Sequence, residues 1–104
     1  MNDERTAGSA AGAFAVAGDQ WVFTGTLTFD DASAVLAAAA DLPLPSSGHV
    51  DLTGMAHADS AALAVLLALQ RRAADEGRKL AFVPLPTVLD TLARVYGIED
   101  LFAQ

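Results

Sequence analysis

Residues 49–69 read HVDLTGMAHADSAALAVLLAL. The stretch divides into an apolar strand, a short polar passage and a long helical run opening at Asp59-Ser60. Val50 and Leu52 begin a strand that Thr53-Gly54 is expected to end. Met55 to Ala58 then form a loop. From Ser60 to Glu76 the apolar spacing is helical, and Gly77 follows as the expected left-handed residue just past the end. Arg71 and Arg72 sit near the carboxyl end, where the helix dipole favours positive charge.

Upstream, Phe14 and Val16 alternate with alanines, and Gly18-Asp19 signals a tight turn. Trp21 and Phe23 alternate with Val22 and Thr24, which predicts a hairpin of two strands. Gly25 marks a bulge or bend in the second. Thr28-Phe29-Asp30-Asp31 has the form of a capping box, with Asp in place of the usual Glu. A helix is expected from there to about Ala40, since Pro43 and Pro45 forbid its continuation. Downstream, Leu80, Phe82 and Val83 predict a fourth strand ended by Pro84. Pro86 suits the first turn of a last helix, whose stripe is Leu89, Leu92, Ala93 and Tyr96. Ile98, Leu101 and Phe102 are expected to fold back as a final short turn.

Strands alternating with helices after an initial hairpin predict an α/β fold, a single mixed four-stranded sheet with three to four helices packed on it. The length of 104 residues suits one domain, here 12–104. Residues 1–11 are small and polar and are expected to be disordered or frayed.

Composition limits function. The formal net charge is −7, with six Lys and Arg. Such a chain repels a phosphate backbone, which argues against nucleic acid and bare anionic membrane as partners. The opening MNDERTAGSAAG has early acids and no apolar core segment, so it does not read as a secretory signal. The apolar run Ala61 to Leu69 is far short of the ~20 residues that span a bilayer, so direct membrane insertion is not expected. The chain has no cysteine, which removes disulfides and thiolate metal sites and suits the cytoplasm.

Ser60 has two readings from its residues alone. One is a helix N-cap contributing about 1 kcal/mol, with Asp59 as the alternative cap. The other is a phosphorylation site, since a helix amino end favours a phosphoryl group. The helix that follows is apolar nearly all round in its first half. Leu63, Leu66 and Leu67 share one face and are expected in the core. Ala62, Val65 and Leu69 lie on another, continued by Arg72 and Glu76. Either a second layer covers that face or it docks a partner. Catalytic, metal and cofactor readings have little support. His49 and His57 are the only histidines, there is no phosphate-binding glycine loop, and His57 with Ser60 lacks any signature of a triad beyond nearness in sequence.

The segment V-D-L-T-G-M-A-H-A-D-S-A-A-L-A-V-L-L, Val50 to Leu67, resembles the signature of STAS domains. That signature is a strand ending D-[LF]-[ST], a loop, and D-[ST]-x-G-L opening a helix. The resemblance runs from about Phe14 to Phe102. Two branches are similar. In anti-anti-sigma proteins of the SpoIIAA type, the serine matching Ser60 is phosphorylated by an anti-sigma factor kinase. In the MlaB branch, the domain is a cytoplasmic accessory subunit of a phospholipid ABC transporter. It sits at the inner membrane through its partners, on an MlaF-like ATPase within a complex containing a permease. The finish G-R-K-L-A-F-V-P-L-P and then T-L-A-R-V-Y-G-I-E-D-L-F looks like the MlaB pattern. The resemblance implies a non-enzymatic, cofactor-free subunit. Its expected partner-binding residues are Asp59, Ser60, Ala61, Ala62, Val65, Leu69 and Arg72. Ala62 stands where the signature has glycine, a departure that weakens the phospho-switch more than docking.

Overall fold

The computed structural model describes residues 12–102, so the reading of residues 1–11 as frayed lies outside the described residues. Strand β1 is Ala13–Ala17 and β2 is Gln20–Leu27. Helix α1 is Ala32–Ala39, β3 is His49–Ala58 and α2 is Ser60–Asp75. Strand β4 is Ala81–Val83, α3 is Thr87–Val95, and a 3-10 turn spans Glu99–Phe102. The four strands form one sheet in the order β1-β2-β3-β4. The first pair is antiparallel and the other two are parallel. The expected mixed α/β sheet is the one observed.

The hairpin closes with Ala17 opposite Gln20. Gly18 takes φ 66 at the first turn position, a conformation costly to any side chain. Both parallel connections step in the same direction across the sheet. Right-handed crossovers therefore place α1 and α2 on one face, and α3 lies beside α2. Side-chain alternation follows: Trp21, Phe23, Leu27, Val50, Leu52 and Phe82 point into the helical layer and are fully buried. The intervening Thr24, Thr53 and Val83 are exposed. Burying each large apolar side chain contributes about 1.5–3 kcal/mol. Trp21 also satisfies its polar atom, donating Nε1–H to the Pro43 carbonyl at 2.9 Å.

The central strand departs from expectation. Thr53-Gly54 does not end it, and Met55–Ala58 is not a loop; β3 runs to Ala58 and only Asp59 separates it from α2. Two irregularities against β2 explain why the sequence misleads. Val22 pairs with Asp51 but Thr24 with Gly54, and Gly25 pairs with Met55 but Thr26 with His57. Each shift inserts one extra residue on β3, so the strand bends and its inside-outside alternation breaks. Gly54 is required there, since a Cβ would lie 2.7 Å from the Phe23 carbonyl oxygen. On β2, Gly25 with φ 102 sits at the second irregularity, as its glycine suggested.

Both longer helices end in the same way. Gly77 N–H donates to Ala74 O and Arg78 N–H to Ala73 O; Gly97 N–H donates to Arg94 O and Ile98 N–H to Ala93 O. This paired bonding closes each carboxyl end on a glycine with positive φ. Gln70, a buried polar side chain on α2, ties the far edge together. Its Nε2 donates to the carbonyls of Leu80 and Leu101, both at 2.9 Å, and its Oε1 accepts from Leu80 N–H at 2.7 Å. Phe102 is buried as expected and packs on Phe82, ring centroids 5.9 Å apart. Tyr96, expected in the α3 stripe, is instead exposed, because it stands at the helix end beyond the covered Leu89 and Ala93.

Candidate functional site: the groove between the first turns of α1 and α2

Asp59, the single residue between β3 and α2, is the N-cap of α2, with extended backbone and its Oδ1 accepting from Ala61 N–H at 2.8 Å. Its Oδ2 accepts from Phe29 N–H at 3.0 Å, on the turn that leads into α1. One carboxylate thus holds the starts of two helices in fixed relation. Ser60 is not the cap. It is the first helical residue, it is exposed, and its hydroxyl has no partner among the described residues.

The turn bearing Phe29 is braced from the other side by Asp31. Its Oδ2 accepts from Thr26 Oγ1 at 2.8 Å, Thr28 Oγ1 at 3.1 Å and Thr28 N–H at 3.2 Å. The last of these is one half of the expected capping box. The other half is replaced, since the Thr28 hydroxyl turns to the carboxylate. The Thr26 hydroxyl, with Thr28, holds the Asp31 carboxyl below the usual carboxylate value despite some desolvation. Phe29 itself is 81% exposed, more than any other large apolar side chain among the described residues. It stands at the rim of a groove of about 690 Å³, bounded by Asp30, Ala32, Ser33 and Leu36 on the α1 side and by Ser60, Ala61, Ala64 and Val65 on α2. In the sequence Phe29 is only a spacer in the capping box. Its separation from the apolar periodicity of α1 was the available signal.

The expected outward stripe of α2 is corrected by burial. Ala62, Val65 and Leu69 are at most 2% exposed and belong to the core, with Leu63 and Leu66. Leu67, expected in the core, is only half-buried. Because α2 is the middle helix, it is covered by the sheet below and by α1 and α3 at its sides. Its buried arc therefore spans both apolar faces. Solvent meets Ser60, Ala64, Arg71, Ala74 and Asp75, flanked by half-buried Ala61, Leu67 and Ala68. Val65 reaches the groove only as its floor. Since the Ala62 methyl lies in the core, it does not extend a docking surface. Arg72 is also reassigned: its guanidinium donates to the carbonyls of Ala39 at 3.1 Å and Leu42 at 2.6 Å, closing the carboxyl end of α1.

His49 and His57 are both exposed on β3. Among the described residues, no three His, Asp or Glu side chains are placed to share a metal ion. No helix among them is long and apolar enough to cross a membrane.

The strand order, the one covered sheet face and the Asp-Ser start of the central helix define a STAS-type α/β domain. A family model described as "Mlab, STAS domain" matches residues 15–103, and the chain belongs to that family, in its MlaB-like branch. A comparison with curated protein sequences finds no match.

Proposed function

We propose that the chain is a non-enzymatic, cytoplasmic subunit that binds and supports the ATPase of a phospholipid ABC transporter, held at the inner membrane by its partners. One observation carries the reading beyond family membership. Asp59 presents Phe29 and Ser60 together, on a rigid frame, at the rim of an apolar groove. An exposed aromatic whose backbone is already fixed loses little freedom on binding, which is how an interface anchor gains affinity. The domain would act by differential binding, favouring the ATPase arrangement that fits the groove.

The test is capture of the ATPase encoded beside this chain. Ala64→Arg places a long charged side chain on the exposed strip of α2 and should abolish capture while leaving the circular dichroism spectrum and melting temperature unchanged. Undiminished capture would remove the groove as the interface.

A second reading has one specific observation in its favour. The Ser60 hydroxyl is exposed and not consumed by capping, so it is open to a kinase of the anti-sigma type. Mass spectrometry after co-expression with neighbouring kinases tests this. Unmodified Ser60 in every condition, with Ser60→Asp leaving partner affinity intact, would exclude the switch.

A further inference from the structure

We infer that the groove receives a positively charged amphipathic helix of the partner protein, which seats an apolar side chain against Phe29 and a lysine or arginine against Asp30. The inference rests on the docking reading above and adds the chemistry of the docked segment.

The apolar half of the argument is geometric. Ala32 and Leu36 on one side, Ala61 and Ala64 on the other, and Val65 beneath form a trough between two helices, with Phe29 at its mouth. Asp59 already takes the Ala61 and Ala62 amides of the α2 start, and the trough is walled by helix side chains, not by the edge of a sheet. A strand would leave its own amides unpaired there, whereas a helix brings its bonds with it and packs by ridges.

The charged half comes from which groups remain free. The ionisable residues around the groove are Asp30, Asp31 and Asp59, all acidic. Asp31 is committed to Thr26 and Thr28, and Asp59 to Ala61 and Phe29. Asp30 is exposed at the groove and makes no hydrogen bond or ion pair among the described residues. No lysine or arginine lines the groove. Arg72, the nearest pinned cation on α2, lies twelve residues beyond Ser60, about 18 Å along the helix, and is bound to the end of α1. A cation that pairs with Asp30 in the groove would therefore come with the ligand. A formal net charge of −7 attracts such a segment at long range and opposes an anionic bilayer.

The probe is a designed peptide of leucine and lysine at amphipathic helical spacing, with a leucine-glutamate counterpart as control. Titration into the isotopically labelled domain is followed by amide NMR. The leucine-lysine peptide should shift Phe29, Asp30, Ser33, Ala61 and Ala64, with affinity that falls as salt rises. Phe29→Ala and Asp30→Lys should each weaken it tenfold or more, and both changes lie on exposed residues, so their spectra will report a retained fold. Shifts scattered over other acidic surfaces, an equal response to the glutamate peptide, or affinity unaltered in both variants would overturn the inference. So would binding to phosphatidylglycerol vesicles through the same residues. ATPase capture separates this from the docking reading. Capture by wild type and by Asp30→Lys alike overturns the charge pairing and leaves docking standing. Absent capture with groove-centred peptide shifts removes the ATPase and supports the groove's chemistry.

Discussion

Asp59 accepts the amide N–H of Phe29 at 3.0 Å across thirty residues of chain, with the oxygen it does not use to cap α2. This bond turns two local motifs, a capping turn and a strand-to-helix junction, into one site. It also explains why an aspartate stands at that position: both of its oxygens are acceptors facing backbone donors.

Replacing Asp59 by alanine should therefore cost about 2–5 kcal/mol, the sum of a lost cap and a lost charge-assisted bond. Asp59→Asn should recover only part of this, because an amide offers one acceptor and turns a donor toward one of the two N–H groups. Urea denaturation of the three proteins checks the order.

Ser60→Ala should change stability by no more than about 0.5 kcal/mol, because the hydroxyl neither caps nor packs. The same denaturation experiment decides which of the two neighbouring residues is the cap. A loss as large as that of Asp59→Ala would mean that the serine carries it.

Leu69→Asp should unfold the domain, since it buries a carboxylate at a position 1% exposed. The change cannot report on docking. Circular dichroism of that variant beside Ala64→Arg checks the reassignment: the first should lose its fold and the second keep it.

Gln70→Leu should cost about 2–4 kcal/mol. It leaves both the N–H and the carbonyl of Leu80 and the carbonyl of Leu101 without their partner at the β4 edge. Hydrogen exchange should show the loss most strongly at Leu80 and in the 3-10 turn that follows α3.

Acid should weaken the Phe29 turn. The Asp31 carboxyl is held below its ordinary value of 3.8 by the Thr26 hydroxyl and by Thr28, and Asp51 is held below its own by Thr53. A carboxylate with a folded value below its unfolded one contributes stability that is complete above the unfolded value. That contribution is lost as pH falls through the folded value. Stability should therefore be flat in this respect near neutrality and fall below about pH 4. Asp31→Asn should flatten part of that fall, as measured by urea midpoints at a series of pH values.

Several features were readable from the chain because their causes are local. Gly18 between alternating runs specifies a hairpin. Gly77 and Gly97 at the ends of helical spacing specify how those helices stop. The Asp-Ser junction marks the start of α2, and the apolar periodicities locate the helices and the strands other than the end of β3 within a few residues. The end of β3 was not readable, because what carries it past Gly54 is pairing with β2 through two register shifts, and no residue near Gly54 announces that.

The sequence by itself determined the order of elements, the mixed sheet, the family, and the place where the central helix begins. Tertiary structure alone decided which side of that helix faces outward. Helical spacing says which residues share an arc. The width of the buried arc depends on how many neighbours press on the helix, and α2 has three. That is why Ala62, Val65 and Leu69 are core, and why the exposed surface falls to Ala64, Ser60 and the Phe29 that Asp59 holds in place.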